Sequence, residues 1–399
     1  MSKGLTIARL LSHHTPHRII GADTSTLSPG RFSNSLSAFR KLAPPDGNDA
    51  EPYIGSLLET IKKEGVDLWI SCSSVVAAVE DGTVVRLAEE AMGDEFQAVQ
   101  FRQDVVEKLH EKDKFIEYIR ELGLAVPESH RCRSAEEVLS ILLPAAERNG
   151  HAKQAEREGK KGHAYADTEA TEKEEKRKEK KKKTYILKPI AVNDRARNAM
   201  MTHLPLHTPQ ETKNYIKNLA ITPADAFQLQ RFIQGAEYCT HALVIRGRVK
   251  AFVACPSKEL LMHYRALPAE SALARAMLRF TEKVARDGGM GFSGPLWRFF
   301  PIECNPRAHT AVSLFSSTPE LASAYLSIFD PPSPSPSIWL AFGEHVASWR
   351  WRDGTFMVRD PVPFLVLYHV YWPWVFVGAL IGGRGWSRVN VSTGKVFEG

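Results

Sequence analysis

Glu303, Asn305 and Arg307 stand at every second position of FPIECNPRAHT, residues 300–310. Alternate side chains of a strand point to opposite faces. These three would then share one face, with Ile302 and Cys304 turned into a core. Pro306 has no N–H to give a ladder and marks the strand's end. A carboxylate and an amide carbonyl are hard oxygen ligands of the kind Mg²⁺ takes alongside a substrate's phosphates. A guanidinium forks onto phosphate oxygens. The plain alternative is an edge strand with solvated polar residues, because such alternation is ordinary in half-buried strands.

Further upstream, TYILKPIAV (184–192) reads as an apolar strand holding one lysine, Lys188, and a lone buried lysine wants an anion. Gln230, Arg231, Phe232 and Ile233 alternate polar and apolar, and Gly235 and Glu237 follow. There is no G-x-x-x-x-G-K-[ST] phosphate loop. Gly289, Gly291 and Gly294 do make a G-x-G-x-x-G, but it leads into PLWRFF and not into a helix, which is the wrong setting for a dinucleotide fingerprint. No Ser-His-Asp set, H-E-x-x-H or Cys/His zinc spacing is present.

These residues need a scaffold, and the chain can supply one. Its 399 residues suffice for two or three domains, and 43% hydrophobic and 25% charged residues are globular proportions. The formal net charge of +6 is concentrated in EKEEKRKEKKKK (172–183), which holds eight Lys/Arg and four Glu. The remainder is close to neutral, so no nucleic-acid partner is expected. Five cysteines without a C-x-x-C pair argue against a disulfide framework and for a reducing compartment. MSKGLTIARLLSHH lacks the apolar core and cleavage site of a signal peptide. A cytoplasmic location is expected.

Strand and helix patterns alternate over the first hundred residues: HRIIGAD (17–23), IGSLLETIKKEG (54–65), VDLWISCSS (66–74) and TVVRLAEEAMG (83–93). That alternation implies a parallel sheet with crossover helices. The chain opens directly on a helix that would normally follow a strand, so a first strand is expected to be missing, unless the fold does without it. Two helices follow over 104–130. Capping boxes are expected at Ser134/Glu137 and Thr208/Glu211. Strands with a hairpin turn near Arg246–Gly247 fill 227–255, a helix covers 267–286, and another starts at Thr318–Pro319. Residues 149–183 are too polar to order themselves and read as a disordered insertion, with a charged helical stalk as the alternative. DPPSPSPS (330–337) is a linker. PVPFLVLYHVYWPWVFVGALIGG (361–383) is long enough to span a bilayer. Pro361, Pro363, Pro373 and His369 interrupt it, and Pro373 would break a helix there. A buried core or amphipathic helix explains it as well, and no stable membrane insertion is expected.

In register, these pieces resemble the ATP-grasp enzymes over residues 1 to about 325. DLWISCSS resembles part of their first domain, HEKDKFIEYIRELGLAVPES their opening helix pair, YILKPI their nucleotide-lysine strand, LQRFIQGAEY their adenine hinge and PIECNPRAHT their magnesium motif. IECNPRAHTAVSLF and RDPVPFLVLYHVYWPWVFVGAL are similar to mycosporine-glycine synthetases, soluble ligases that join an amino acid to a cyclohexenone, 4-deoxygadusol. The resemblance implies an α/β ATP-grasp fold: a Rossmann-like domain at 1–103, the ATP-grasp domain at 104–329 with its insertion at 149–183, and a C-terminal extension at 330–399. It implies ATP and Mg²⁺, or Mn²⁺ in its place, as cofactors. Lys188 would grip the phosphates with help from Lys114. Backbone at Gln230, Arg231, Phe232 and Ile233 would hold adenine, and Glu237 the ribose. Glu303 and Asn305 would hold the metal, Arg307 the transferring phosphoryl group, and His309 substrate. The partners would be small molecules, a cyclohexenone or carboxylate plus an amino acid, and a homodimer is allowed for.

One departure bears on activity. No Asp or Glu lies between Asp287 and Glu303, where these enzymes usually carry another metal carboxylate. The alternatives to the mycosporine-type ligase are an amide-forming carboxylate–amine ligase, a catalytically degenerate nucleotide-binding relative, and a nucleic-acid binder acting through residues 172–183.

Overall fold

The computed structural model describes residues 2–45, 49–73, 77–145, 183–190, 202–257, 264–286, 300–331, 353–383, 388–390 and 395–397. The chain enters through helix α1 (Ser2–His14). Two parallel strand pairs follow, β1 (Ile20–Asp23) with β2 (Ala38–Lys41) and β3 (Leu68–Ile70) with β4 (Gln97–Val99). Helix α2 (Glu51–Glu64) buries Tyr53, Ile54, Leu57 and Ile61, a spacing of three and four that makes one apolar stripe. That stripe packs on Val84 and Ala88 of α3 (Ala78–Met92) and on Phe96. Gly65 ends α2 in the left-handed region at φ 59°, where a Cβ would be strained. Gly82 is needed for another reason: a Cβ there would meet the Gln103 backbone at 2.7 Å, so only glycine lets α3 approach α4 (Gln103–His110).

Helix α5 (Lys112–Glu121) leads to a three-stranded antiparallel sheet in the order β5 (Ser129–Cys132), β7 (Phe227–Arg231), β6 (Tyr185–Pro189). One face, with Tyr185, Leu187, Phe227 and Leu229, packs under α6 (Ala135–Leu142) and the helix Pro209–Lys217. The capping box at Thr208 and Glu211 is complete. At Ser134 only half of the expected box forms. Its hydroxyl accepts the Glu137 N–H, while the Glu137 carboxylate takes the N–H of Arg133, one residue early.

The hairpin β8 (Tyr238–Ile245) and β9 (Arg248–Pro256) turns through Arg246 and Gly247, both at positive φ, as the twist of a two-residue hairpin demands. Leu243, Ile245, Ala251 and Val253 share a core with Ile7, Leu10 and Leu11 of α1 and with Val312, Phe315, Leu321 and Tyr325. α1 fills this core without a strand ahead of it among the described residues. The described elements run in the order of a parallel α/β unit, an antiparallel sheet bearing Lys188, then a hairpin-based α+β unit.

Four expectations need correction. Residues 300–306 form no strand; the segment is extended but unpaired. Pro301 and Pro306 remove two N–H donors, and no described strand lies beside it. Ile302 is exposed, while Cys304 packs against Phe115, Ile116 and Ile119 as expected of a core residue. The helix expected from 267 begins at Ala272, capped by Ser271. Pro373 does not break the C-terminal helix, which runs from Val362 to Ile381 with a π turn over Leu367–Tyr371. Proline lacks the N–H and crowds the carbonyl four residues back; the wider turn just ahead makes that room. This helix is not the buried one expected. By length and composition it could cross a membrane, and only 6% of its most apolar window is buried. The expected insertion at 149–183 lies, but for Lys183, outside the described residues. So do residues 287–299 and most of the 330–337 linker.

The C-terminal segment is tied to α1 by a buried ion pair. Arg9 Nε donates to Asp360 Oδ2 (2.8 Å), and its two other nitrogens donate to the carbonyls of Asp360 and Thr355 (2.7 and 3.0 Å). Ser33 Oγ and the Asn34 N–H satisfy the same carboxylate. Removing one partner strands a buried charge, at a cost of about 3–5 kcal/mol. Asp360→Ala is therefore expected to lower the urea midpoint by that amount of stability, and Arg9→Met with Asp360→Leu to lose less than either single change.

Candidate active site

The sheet presents a polar face opposite its core face. Lys188 lies on that face, directly across from Gln228 in the register, and donates to Gln230 Oε1 (3.0 Å). Gln228 and Gln230 are both buried. Gln230 Nε2 donates to Ser129 Oγ (3.2 Å), while Gln228 Oε1 is buried without a partner. Burial pulls the Lys188 ammonium below its ordinary value; Glu303 holds it up, Lys112 lowers it further, and Glu237 again holds it up. Residues from four separate segments thus share one electrostatic neighbourhood.

The hinge residues divide. Gln230 is inside β7, its backbone paired with Ser129 and Ile186. The Arg231 and Phe232 N–H groups are already given to the carbonyls of Glu128 (2.8 Å) and Thr184 (2.7 Å). Among the described residues the Ile233 N–H makes no hydrogen bond. The Phe232 ring stacks beside His203 at 4.4 Å. Glu237 is exposed at the head of β8 and accepts from Ser257 Oγ (2.9 Å).

Glu303, Asn305 and Arg307 come together on a loop instead of a strand. Asn305 Nδ2 donates to Glu303 Oε1 (3.4 Å), and Arg307 Nη2 reaches Asn305 Oδ1 (3.5 Å). The Arg307 N–H closes a turn onto the Asn305 carbonyl (2.7 Å). Arg307 Nε is buried and unpartnered. Burial lowers the guanidinium from its ordinary range, and Glu303 and Tyr264 counter this. As a metal site the described residues offer one carboxylate, Glu303, and one amide oxygen, Asn305. No cluster of three or more His, Cys, Asp or Glu exists among them. That donor set would fit an Mg²⁺ that keeps phosphate and water ligands, provided the Asn305 amide flips, because its nitrogen and not its oxygen now faces Glu303.

Lys114 is not in this group. It pairs with Glu111 (2.8 Å) one turn away on the exposed helix surface. Lys112, two residues before it, donates to the Pro189 carbonyl (3.1 Å) beside Lys188. His309 is mostly committed to structure. Its Nδ1 accepts the Ala311 N–H (3.2 Å) and caps the 3-10 helix Thr310–Phe315. Its own N–H faces His241 Nδ1 (3.4 Å), and its ring meets Tyr264 edge-on at 5.5 Å.

Sequence reasoning missed Lys3, His110, Tyr264 and His241. Lys3, at the start of α1, donates to the carbonyls of Ser73 (2.6 Å) and Ala308 (3.1 Å). Burial, with Arg307 adding, lowers its pKa to about 8. His110 is lowered by burial, Lys112 and Arg307, with Glu303 opposing. The charged run HEKDK was the only signal for His110 and Lys112. Nothing local marks Lys3.

No protein-family model matches the sequence, and no curated protein does. Among solved structures the chain is similar to an L-amino acid ligase from Bacillus licheniformis at 12% identity and TM-score 0.40, over 69% of this chain and 61% of that one. It is similar to a biotin carboxylase–β-γ-ATP complex from Campylobacter jejuni at 11% identity and TM-score 0.47, over 81% and 69%. It is also similar to an N5-carboxyaminoimidazole synthetase from Staphylococcus aureus at 11% identity and TM-score 0.45, over 81% and 75%. At such identities and TM-scores the likeness carries no argument about activity, and the chain spans less than two thirds of the Bacillus ligase.

A buried histidine, His241, and a part-buried one, His309, make a pH signature. Burial, then His309 and Lys3, push His241 down to about 3; burial, then Arg307 and Lys3, push His309 down to about 4, both from an ordinary 6.5. Below about 6.5 the unfolded chain takes protons that the folded chain refuses. Stability is therefore full above that pH and falls as pH drops toward 4, by up to about 1.4 kcal/mol per pH unit for His241. His241→Gln should flatten this limb in denaturant titrations between pH 7 and pH 4; an unchanged slope would remove His241 from the account.

Proposed function

We propose that the chain is an ATP-dependent ligase of the ATP-grasp kind, acting on small molecules in the cytoplasm. The observation that carries this reading is the gathering of Glu237, Glu303 and Lys112 around Lys188, with Arg307 linked to Glu303 through Asn305. Bound Mg-ATP would supply the phosphoryl group and the metal's neutralising charge. The chain's part is then positioning and electrostatics, which is most of what phosphoryl transfer asks of a protein.

Each residue has a task in this reading. Lys188, held by Gln230, meets the phosphates with a charge already partly desolvated. Glu303 and Asn305 carry the metal. The Ile233 N–H meets the base and Glu237 the ribose hydroxyls. Arg307, with an unpaired buried Nε, is set to bond oxygens of the group in transfer and of the phosphorylated acceptor. An amine then displaces phosphate from that acceptor. His309, neutral and tied by Nδ1, would orient substrate but not carry its charge.

The finer reading, an enol of a cyclohexenone joined to an amino acid as in mycosporine-glycine synthetases, is supported by the sequence similarity of 302–315 and 359–380. An amide-forming reaction on a carboxylate is the alternative acceptor chemistry. Both use the same nucleotide geometry.

The test is calorimetry with Mg-ATP on the parent, Glu303→Ala and Lys188→Ala. The parent should bind in a magnesium-dependent way. Losing a charge-assisted contact should weaken binding about tenfold to a hundredfold, with Glu303→Ala losing the magnesium dependence. ADP release on adding acceptor and amino acid would then identify the substrates. No binding to a folded parent would overturn the ligase reading.

A further inference from the structure

We propose that Cys239 and Cys255 form a redox site: a dithiol that closes to a disulfide across the β8–β9 hairpin and reopens by exchange with external thiols. The two residues are direct partners in the strand register, and their Sγ atoms are 3.3 Å apart. The Ser257 N–H donates to the Glu237 carbonyl (2.9 Å). Hydrogen-bonded pairs recur every second residue along an antiparallel ladder, so Cys239 and Cys255 are again such a pair, with Cα atoms about 5.5 Å apart. That lies within the span of about 4.4–6.8 Å that a disulfide bridges. No backbone has to travel for the bond to form.

The two thiols are not equivalent. Cys255 is fully buried, while Cys239 is half-buried at the hairpin's open end. The hydrogen bond between them lowers the pKa of Cys239 and raises that of Cys255. Cys239 is therefore the thiolate that meets an oxidant, and Cys255 resolves it. The other thiols are placed differently. Cys132 and Cys304 belong to separate apolar clusters, and Cys72, at the edge of the same core as Cys239 and Cys255, lies against Gly4 of α1, its sulfur making no hydrogen bond to either.

With a peroxide as oxidant the chemistry balances. The Cys239 thiolate attacks one peroxide oxygen and the O–O bond breaks. Cys239 becomes a sulfenic acid, and the departing hydroxide takes a proton to leave as water. The Cys255 sulfur then attacks the Cys239 sulfur. Its proton goes to the leaving hydroxyl, which departs as a second water. Two thiols are oxidised and one peroxide is reduced.

The location gives the bond a consequence. Glu237 is two residues before Cys239 on the same strand face and is bonded to Ser257, two residues after Cys255. Tyr264 lies near enough to both thiols for each to raise its pKa, and its ring meets His309. Closing the disulfide fixes the hairpin's end between Glu237 and the Tyr264–His309 contact.

The test treats the full chain with limiting hydrogen peroxide, then denatures it and alkylates the free thiols. Expected is the loss of two of the five alkylatable thiols, a mass decrease of two hydrogens, a proteolytic fragment linking 239 to 255, and full reversal by dithiothreitol. Cys255→Ser should stop the link and leave Cys239 to accumulate oxygen. Cys239→Ser should leave Cys255 unmodified. Linkage to any other cysteine, or five free thiols after treatment, would overturn the proposal. The mass readout needs no nucleotide, so it stands or falls apart from the ligase reading. Calorimetry with Mg-ATP on the reduced and bridged forms then reads the coupling to Glu237; equal affinities in a parent that binds would overturn that coupling.

Discussion

The buried contact between Arg9 and Asp360 joins residues 351 positions apart, and the placement of the site follows from it. α1 is gripped on one side by this pair and on the other by the core of Ile7, Leu10 and Leu11 against Val312, Phe315 and Tyr325. With the helix fixed, Lys3 is fixed, and Lys3 holds the carbonyl of Ala308 between Arg307 and His309. The 3-10 helix that follows is capped by His309 and buried through Ala311, Val312 and Phe315. A buried ion pair is tolerable only when its remaining hydrogen bonds are met. Ser33, Asn34 and the carbonyls of Thr355 and Asp360 meet them here. The C-terminal segment is thus part of what positions the site, though none of its residues belongs to it.

The site is an assembly of short pieces, each held by a different part of the fold. β6 contributes Lys188 because β7 is the central strand and places Gln228 and Gln230 beneath it. The junction of α4 and α5 contributes His110 and Lys112. The head of the hairpin contributes Glu237, and the loop after Pro301 contributes Glu303, Asn305 and Arg307. Burial decreases from Lys188 and Arg307 outward to Glu303 and Glu237. The two cations are part-buried and the two carboxylates are exposed. On the proposed reading that order would suit a ligand bringing both negative phosphates and a metal, with the phosphates meeting the cations and the metal the outer carboxylate.

Much of the fold was legible because its signals are local. The stripe of α2, the capping box at Thr208, the two-residue turn at Arg246–Gly247 and the apolar run around Lys188 each depend on a few neighbouring residues. What was not legible depends on distant partners. Glu303, Asn305 and Arg307 alternate as a strand would, but a strand also needs a neighbour to pair with, and sequence period cannot report one. Lys112 and Lys114 differ by two positions on a helix whose orientation the sequence leaves open, so it could not tell which of them lies beside Lys188. Lys3 is a surface-type residue in a surface-type stretch until α1 is packed against residues three hundred positions away. Pro373 was read by its effect on an α-helix, and a π turn offered another way to accommodate it.

The electrostatics at the far end of the site follow from this packing. Lys3 and Arg307 are two cations brought into a part-buried space: burial and then Arg307 lower Lys3, and burial lowers Arg307. Asp81, the nearest buried carboxylate to Lys3, is itself raised by burial, and its oxygens already accept from Tyr53 (2.7 Å) and Ser71 (2.5 Å). It cannot neutralise both cations. His241 and His309 respond in the one way open to them, by staying neutral far below their usual titration. A histidine that refuses a proton beside two cations lightens the repulsion at that end, and it leaves Nδ1 of His309 as the acceptor the 3-10 helix needs. The same burial that organises the core therefore sets the protonation pattern of the site. Removing either cation should be felt first by the histidines and only then by the fold.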